Sequence, residues 1–271
     1  IRHYYSIEKE APMTFSPDAE YPLVNTEKGR FPGHFTAGFE ASDALPRLVS
    51  IKAGTKVNVV PGKAKAAVEG FEMAALEKAA AETKEETGIS FEFAAEGTVT
   101  EITATGIGAH ASTPDVGNNA LTGLLVFLGK LDFASCPQVD MVRKTASLFP
   151  HGDVNGKTLG VAMEDELSGN LTLSFNMLTV DAASMDGEFD GRIPVCGNDE
   201  NVLEVVRARM AEQGLTLLNK ALIPPHHVSA DSYFVKTLLA AFELYTGRKG
   251  ECQALGGCTY VHHLENGVAF G

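Results

Sequence analysis

The sequence lacks three features that would each assign it to a broad functional class. No segment approaches the roughly 20 consecutive apolar residues of a membrane-spanning helix. Lysine and arginine number 22 against 35 acidic residues, and the formal charge of −13 disfavours nucleic acid and anionic membranes, because phosphate binding needs clustered cations. The first residues show no basic region followed by an apolar one. We therefore expect a cytoplasmic protein that contacts neither nucleic acid nor membrane.

The cysteines are few and widely spaced. Cys136, Cys196, Cys252 and Cys258 do not form the C-x-x-C pairs that are typical of structural zinc sites. We therefore predict four reduced thiols, most of them buried.

The chain has the composition of a globular protein. It contains 271 residues, of which 44% are hydrophobic and 21% charged, enough for one large or two ordinary domains. It begins at Ile1 without a methionine and stops at Gly271 directly after the apolar run GVAF. We expect both ends to be cuts through a longer chain.

Hydrophobic periodicity predicts an α+β chain. A helical pattern over 71–86 ends at Thr87-Gly88, where a helix would be capped, and alternating strand-like runs flank it. Further strands are predicted at 34–40, 56–61, 64–70, 89–97, 98–106, 170–181, 185–195 and 215–223, and further helices at 118–131, 138–148, 200–213 and 233–247. This order favours α+β sandwich units with a mainly antiparallel sheet and helices on one face.

A change of character near Pro224 indicates two domains. There the run PPHHVSADS is typical of a loop, and short strands around a glycine-rich turn follow the last predicted helix. We predict that residues 1–30 and 224–271 form one α/β-type domain, into which residues 31–223 are inserted as the other.

The run GIGAHASTP places one histidine among small residues directly after a predicted strand. Little side-chain bulk surrounds His110, so a ligand can approach it closely. A histidine in such a place can donate a hydrogen bond to the oxyanion of an attacked carbonyl. The alternative is a structural histidine with all its hydrogen bonds satisfied.

The run SPDAEYP holds a carboxylate between two prolines. Pro17 and Pro22 restrict the backbone around Asp18 and so fix the direction of its side chain. A rigidly held carboxylate suits a divalent cation. An ordinary turn aspartate is the alternative.

Together, the runs FSPDAEYPLVNTEKG and GIGAHASTP resemble the PepV-like dipeptidases, which are cytosolic members of the aminoacylase and carnosinase group of two-metal peptidases. The resemblance implies that Asp18 is a metal ligand. It implies that His110 belongs to a lid domain and stabilises the transition state. Asn58, in KVNVVPGKA, resembles the lid asparagine that contacts substrate, although an exposed strand amide is the alternative.

Two later motifs extend the resemblance towards the end of the chain. Arg192, in EFDGRIPV, resembles the arginine that binds the free carboxylate of a dipeptide, a role that suits a bidentate guanidinium. The run GGCTY resembles the glycine-rich loop of the substrate site, which implies substrate contacts for Gly256, Gly257 and Thr259. The family usually has an arginine where this chain has His262.

Two other pairs imitate metal-site motifs. His151 and Asp153 have the H-x-D spacing, but the residues around them resemble a stretch of the lid domain. Glu85 and Glu86 imitate a paired-glutamate motif, yet they lie at the charged end of a predicted helix. We predict that neither pair binds metal.

The resemblance implies a metal-dependent dipeptidase in which two divalent ions, zinc or alternatively manganese, activate a bridging water. Only Asp18 of the implied ligand set is present, so we expect this chain alone to bind catalytic metal weakly or not at all and to be inactive. We also expect a monomer that takes dipeptides or short peptides. The alternatives are a non-catalytic peptide-binding module with a lid-type fold, and a related deacylase or carnosinase-like enzyme.

Overall fold

The computed structural model describes residues 2–271, and most of their strands belong to two sheets of unequal size. The strands are β1 (Thr14–Ser16), β2 (Leu23–Glu27), β3 (Gly29–Gly38), β4 (Arg47–Ala53), β5 (Val59–Val60), β6 (Lys63–Glu69), β7 (Ser90–Glu96), β8 (Val99–Thr105), β9 (Ala109–His110), β10 (Glu164–Asp165), β11 (Gly169–Asn170), β12 (Thr172–Val180), β13 (Ser184–Ile193), β14 (Thr216–Leu217), β15 (His226–His227), β16 (Cys252–Leu255) and β17 (Gly267–Ala269). The helices are α1 (Arg2–Tyr5), α2 (Met73–Thr87), α3 (Ala120–Gly129), α4 (Pro137–Leu148), α5 (Glu204–Glu212) and α6 (Tyr233–Thr246), with a 3₁₀ turn at Pro114–Val116 and a π turn at Asp199–Leu203.

The larger sheet is antiparallel throughout, in the order β14-β3-β13-β12-β4-β6-β8-β7. Helix α3 packs on β6, β8 and β12, and it also contacts α2 and α4. The α+β class with a mainly antiparallel sheet is therefore confirmed.

Local sequence explains why these elements form. Strand β3 alternates buried and half-buried residues along most of its length, as a strand with one face in the core requires. Helix α2 buries Leu76, Ala79 and Thr83, which recur at helical spacing, and ends at Gly88 with a left-handed φ of 75°. The Asn119 side chain accepts hydrogen bonds from two backbone amides at the start of α3.

Two phenylalanines fill the space above glycines on the neighbouring strand. In the β3–β13 pair, Gly33 lies opposite Phe189 and Gly187 lies opposite Phe35. A Cβ built on Gly33 would overlap the ring of Phe189, and one built on Gly187 would overlap the ring of Phe35. Both phenylalanines are fully buried. The two glycines therefore admit aromatic rings that larger residues would exclude.

We expect Gly33→Ala to lower the free energy of unfolding by about 1–3 kcal/mol, because the added methyl group displaces a buried ring in a packed core. Gly38→Ala is the matched control, since a Cβ at this end of the same strand meets no atom within 4 Å. It should change stability by less than about 0.5 kcal/mol. Urea unfolding of both variants measures the difference, and equal midpoints would contradict this packing.

The smaller sheet joins the two ends of the chain. Strand β2 pairs with β16 in parallel and with β17 and β15 antiparallel, and β1 adds in parallel to β17. Helix α6 contacts β2 over a small core formed by Leu23, Val228, Val235 and Val268. The predicted division into residues 1–30 with 224–271 and 31–223 stays a prediction, although no strand of one sheet pairs with the other within residues 2–271.

Several sequence expectations were wrong in extent. The strand predicted at 56–61 is only Val59–Val60, and the one predicted after residue 214 is only Thr216–Leu217. The helix predicted from residue 200 starts as a π turn before α5. The cysteines are free, as predicted, but only Cys136 is buried, while Cys196 and Cys258 are exposed. Each of these short strands pairs over two residues, β5 with β9 and β14 with β3.

Within residues 2–271, no helix is both long enough and apolar enough to cross a membrane.

Candidate active site

Asn58 and His110 lie on one two-stranded ribbon. Strand β5 pairs antiparallel with β9, so that Val59 lies opposite His110. The backbone amide of Ala111 donates to the carbonyl oxygen of Asn58 at 3.0 Å. His110 is exposed and Asn58 is half-buried in the turn before β5. The ribbon therefore presents both predicted residues from one small element.

Ser112 fixes the tautomer of His110. The backbone N–H of Ser112 donates to His110 Nδ1 at 3.2 Å, and the Ser112 hydroxyl lies 2.7 Å from the same nitrogen. A backbone N–H can only donate, so Nδ1 is an acceptor and the ring proton of neutral His110 lies on Nε2. This leaves Nε2–H as a donor on an exposed ring, which is what stabilising an oxyanion requires.

Arg192 is buried beside a carboxylate. Its Nε and Nη2 donate to the two oxygens of Asp190, the second at 3.2 Å, and its Nη1 donates to the carbonyl oxygen of Gly256 at 2.7 Å. Arg192 is only 3% exposed, and Asp190 is not exposed at all. Arg192 is therefore held in place by its own strand and by the glycine loop.

Arg30 is a second cation at this position, and the sequence motifs did not indicate it. It lies opposite Arg192 in the β3–β13 pair, with its Nη2 3.7 Å from Asp190 Oδ2. Its Nε is buried without a hydrogen-bond partner within residues 2–271. Two guanidinium groups share one carboxylate, so the group of three carries a net positive charge.

The glycine loop, residues 256–260, lies between Arg192 and the ribbon. A Cβ on Gly256 would be 3.3 Å from the Cβ of Ser112, and one on Gly257 would be 3.9 Å from Arg192 Nη1. The predicted residues of β9, β13 and this loop therefore lie at one place in the fold. Their proposed contacts with substrate stay predictions.

Thr259 faces inwards rather than towards an open site. Its amide donates to both oxygens of Glu27, at 3.2 and 3.1 Å, and its hydroxyl donates to Oε1 of the same residue. Glu27 ends β2 and is 1% exposed. Burial by itself raises the pKa of Glu27, but hydrogen bonds from His262 and Thr259 outweigh it and lower that pKa.

His262 replaces the expected arginine and pairs with the same carboxylate. Its Nδ1 lies 2.7 Å from Glu27 Oε2, and its Nε2 lies 2.9 Å from the carbonyl oxygen of Pro224. Burial alone lowers the pKa of His262, but hydrogen bonds with Cys258 and Glu27 raise it to about 10. Glu27 and His262 therefore form a buried ion pair that anchors the glycine loop to β2.

This ion pair makes stability depend on pH. The folded-state pKa of His262, about 10, exceeds the ordinary value of 6.5, so its protonation favours folding. The stabilisation is complete below about pH 6.5 and is lost as the pH rises through about 10. We expect the melting temperature, measured with EDTA present, to fall over this window. His262→Arg should not share this loss, because its guanidinium stays charged. If the melting temperatures of the two proteins fall equally with rising pH, the ion pair is contradicted.

Asp18 belongs to a separate loop. It is exposed in the loop after β1, and the next residue, Ala19, donates its amide hydrogen to the carbonyl oxygen of Gly271 at 2.9 Å. No hydrogen bond or ion pair of the described residues joins Asp18 to His110, Arg192 or the glycine loop. Asp18 is instead adjacent to the last residue of the chain.

The residues present do not fit a two-metal centre. Among residues 2–271, one group of possible metal ligands has its ligand atoms within 4.8 Å of one another: Glu27, Cys258 and His262. Asp18 is not part of this group. An exposed aspartate alone cannot hold two ions.

Residues of the two pairs that resemble metal-site motifs, His151–Asp153 and Glu85–Glu86, contact other parts of the chain. His151 Nδ1 lies 2.9 Å from the Thr122 hydroxyl, and Asp153 accepts amide hydrogens from its own turn, including that of Thr158 at 2.8 Å. Glu86, near the end of α2, pairs with Lys130 at 2.9 Å. That neither pair binds metal stays a prediction.

No family model matches the chain. It is 34% identical over 278 residues to the Bacillus subtilis protein YtjP, which carries a provisional dipeptidase name, and 31% identical over 272 residues to a beta-Ala-Xaa dipeptidase of Lactobacillus delbrueckii subsp. lactis. Each match covers the whole of this chain. The PepV-like resemblance is confirmed. The chain is a homologue of these proteins, and it spans 58% and 57% of their lengths.

A solved structure shows the same fold. The crystal structure of an aminoacylhistidine dipeptidase from Vibrio alginolyticus matches 98% of this chain and 61% of its own chain, with a TM-score of 0.52 and 11% identity. Since this structure and the relatives are longer than the chain, the chain corresponds to part of a larger architecture in each of them.

Proposed function

We propose that this chain forms the lid and the substrate loop of a metal-dependent dipeptidase. The observation that carries the proposal is that His110, Arg192 and Gly256 lie together although they come from three distant parts of the sequence. The dipeptidase names of both relatives, each matched over this whole chain, support the reaction.

His110 has the chemistry for the developing negative charge. With Nδ1 occupied by Ser112, the Nε2–H group can donate to the oxygen of an attacked peptide carbonyl. One such donor supplies about 3–4 kcal/mol of transition-state stabilisation in other hydrolases.

Arg192 and Arg30 have the charge to select a free terminal carboxylate. Together with Asp190, these two arginines carry a net positive charge. Gly257 lies next to Arg192, and because glycine has no side chain, a ligand has room there. In this conformation Arg192 Nη1 bonds to Gly256, so a carboxylate would share or replace that contact. Asn58, from the ribbon, is proposed to contact the substrate backbone.

The divalent ions of the enzyme, zinc or manganese, would supply an activated water. Asp18 is the one ligand proposed from this chain, and the residue after it, Ala19, donates its amide hydrogen to the carbonyl oxygen of Gly271. We further propose a cytoplasmic monomer, in keeping with four free cysteines.

The test is hydrolysis of a dipeptide panel by the full product of the gene, loaded with zinc or with manganese. We expect cleavage of free dipeptides and much slower cleavage of their C-terminal amides, which lack the carboxylate. The 271-residue chain alone should be inactive. If the folded, metal-loaded full product binds dipeptides without cleaving them, the non-catalytic peptide-binding module is correct. If it prefers N-acylated amino acids, the related deacylase is correct.

A further inference from the structure

We propose that Glu27, Cys258 and His262 form a binding site for a single zinc-like divalent ion. A carboxylate oxygen, a thiol sulfur and an imidazole nitrogen from these residues all lie within 4.8 Å of one another. Zinc binds this set of donors, at about 2.3 Å for sulfur and about 2.0–2.2 Å for nitrogen and oxygen. The mixed set favours zinc over magnesium and calcium, which prefer oxygen alone.

The surroundings of His262 orient it for a metal. Its Nε2 donates to the carbonyl oxygen of Pro224 at 2.9 Å, which directs Nδ1 towards Glu27. A backbone carbonyl on the second ring nitrogen is the usual partner of a metal-bound histidine. Glu27 is held in turn by the amide and hydroxyl of Thr259. Two of the three ligands are therefore positioned before any ion arrives.

The same geometry disfavours a cysteine protease-like triad. In such a triad one ring nitrogen faces the carboxylate and the other faces the thiol. Here both ring nitrogens of His262 are already hydrogen-bonded, Nδ1 to Glu27 and Nε2 to Pro224, so neither is free to act as a base for Cys258. The cluster is therefore better suited to holding an ion than to activating the thiol.

Binding requires the Glu27–His262 pair to open slightly. The 2.7 Å between His262 Nδ1 and Glu27 Oε2 is the length of a hydrogen bond that a proton bridges. The ion would replace this proton and the thiol proton of Cys258, and both protons would be released to solvent. Tetrahedral bonding to zinc sets these atoms about 3.3 Å apart, so the pair opens by about 0.6 Å. Cys258 is exposed and provides the approach from solvent. Three protein ligands leave a fourth position for water.

The ion would link the end of β2 to the glycine loop. Glu27 closes β2, and Cys258 follows Gly256 and Gly257 directly. An occupied site would therefore fix the loop whose carbonyl oxygen Arg192 contacts. This inference needs no catalytic activity and does not depend on the proposed function.

The test is titration of the 271-residue protein with Zn²⁺ against a chromophoric chelator, and with Co²⁺ followed by absorption. We expect one equivalent of either ion, and a thiolate-to-cobalt charge-transfer band. Cys258→Ser should remove the band and weaken zinc binding at least about 100-fold, because a direct ligand contributes more than an outer-sphere partner does. His262→Arg should abolish binding while keeping a cation beside Glu27.

The matched control is Cys196→Ser, since Cys196 is also an exposed free thiol but lies outside the cluster. It should bind zinc as the unmodified protein does. The proposal is overturned if no zinc binds, if cobalt binds without the thiolate band, or if His262→Arg retains full affinity. Loss of binding in Cys196→Ser with no loss in Cys258→Ser would also overturn it.

Discussion

Replacing His110 with alanine should lower kcat of the full gene product on a dipeptide by about 10²–10³-fold, because the variant loses a donor to the transition-state oxyanion. The Nε2–H group is available for that bond because Ser112 occupies Nδ1. KM should change little, since the donor acts mainly on charge that develops during the reaction. Steady-state kinetics of the metal-loaded proteins measures both constants.

Ser112→Ala is the matched control for His110. It removes the hydroxyl next to Nδ1 but keeps the backbone amide that also fixes the tautomer. We expect a loss of about tenfold or less, in line with a partner that only orients the ring. An unchanged kcat in His110→Ala with a raised KM would show that the residue binds substrate and does not stabilise the transition state.

Replacing Asp18 with alanine should have the largest effect. Replacing a residue that only contacts a metal ligand typically costs about 10–100-fold in metal affinity or activity. Asp18 is proposed to bind the metal directly, so we expect activity to fall further, by about 10³-fold or more. Zinc bound per molecule should fall with it. Elemental analysis of the purified full product, together with its rate, measures both quantities.

Glu20→Ala provides the comparison for Asp18. Both carboxylates are exposed in the same loop, but only Asp18 occupies the aspartate position of the S-P-D motif. Glu20→Ala should keep nearly full activity and metal content. Equal behaviour of the two variants would mean that Asp18 is an ordinary turn residue.

Local patterns predicted the elements of this fold well where burial follows a simple period. Helix α2 has apolar residues at helical spacing and a glycine at its end, so its sequence alone is sufficient to predict the helix. Strand β4 was not predicted, because its buried positions are irregular and lie among Arg47, Ser50 and Lys52. Its pairing with β6 contains a register shift, which breaks the alternation that a sequence pattern relies on.

Residues of the candidate site could be predicted from the sequence only where they lie in short, recognisable motifs. His110 and Arg192 lie in recognisable runs, and the structure brings their loops together through Gly256. Glu27 was missed because its partner His262 is 235 residues away, and no local period relates them. Arg30 was missed for a similar reason, since only the β3–β13 register places it beside Asp190. The sequence shows that His262 stands where the family usually has an arginine, but it does not show that Glu27 is the partner of His262.

The central claim is that Asp18 and His110 serve one hydrolytic centre, and a crystal structure of the full gene product with a phosphinate analogue of a dipeptide tests it most directly. The account predicts that Asp18 binds a metal ion in contact with the phosphinate, and that His110 Nε2 lies about 2.7–3.1 Å from a phosphinate oxygen. A complex with the analogue bound to metal while Asp18 coordinates no ion, or while His110 faces away from the phosphinate, would contradict it.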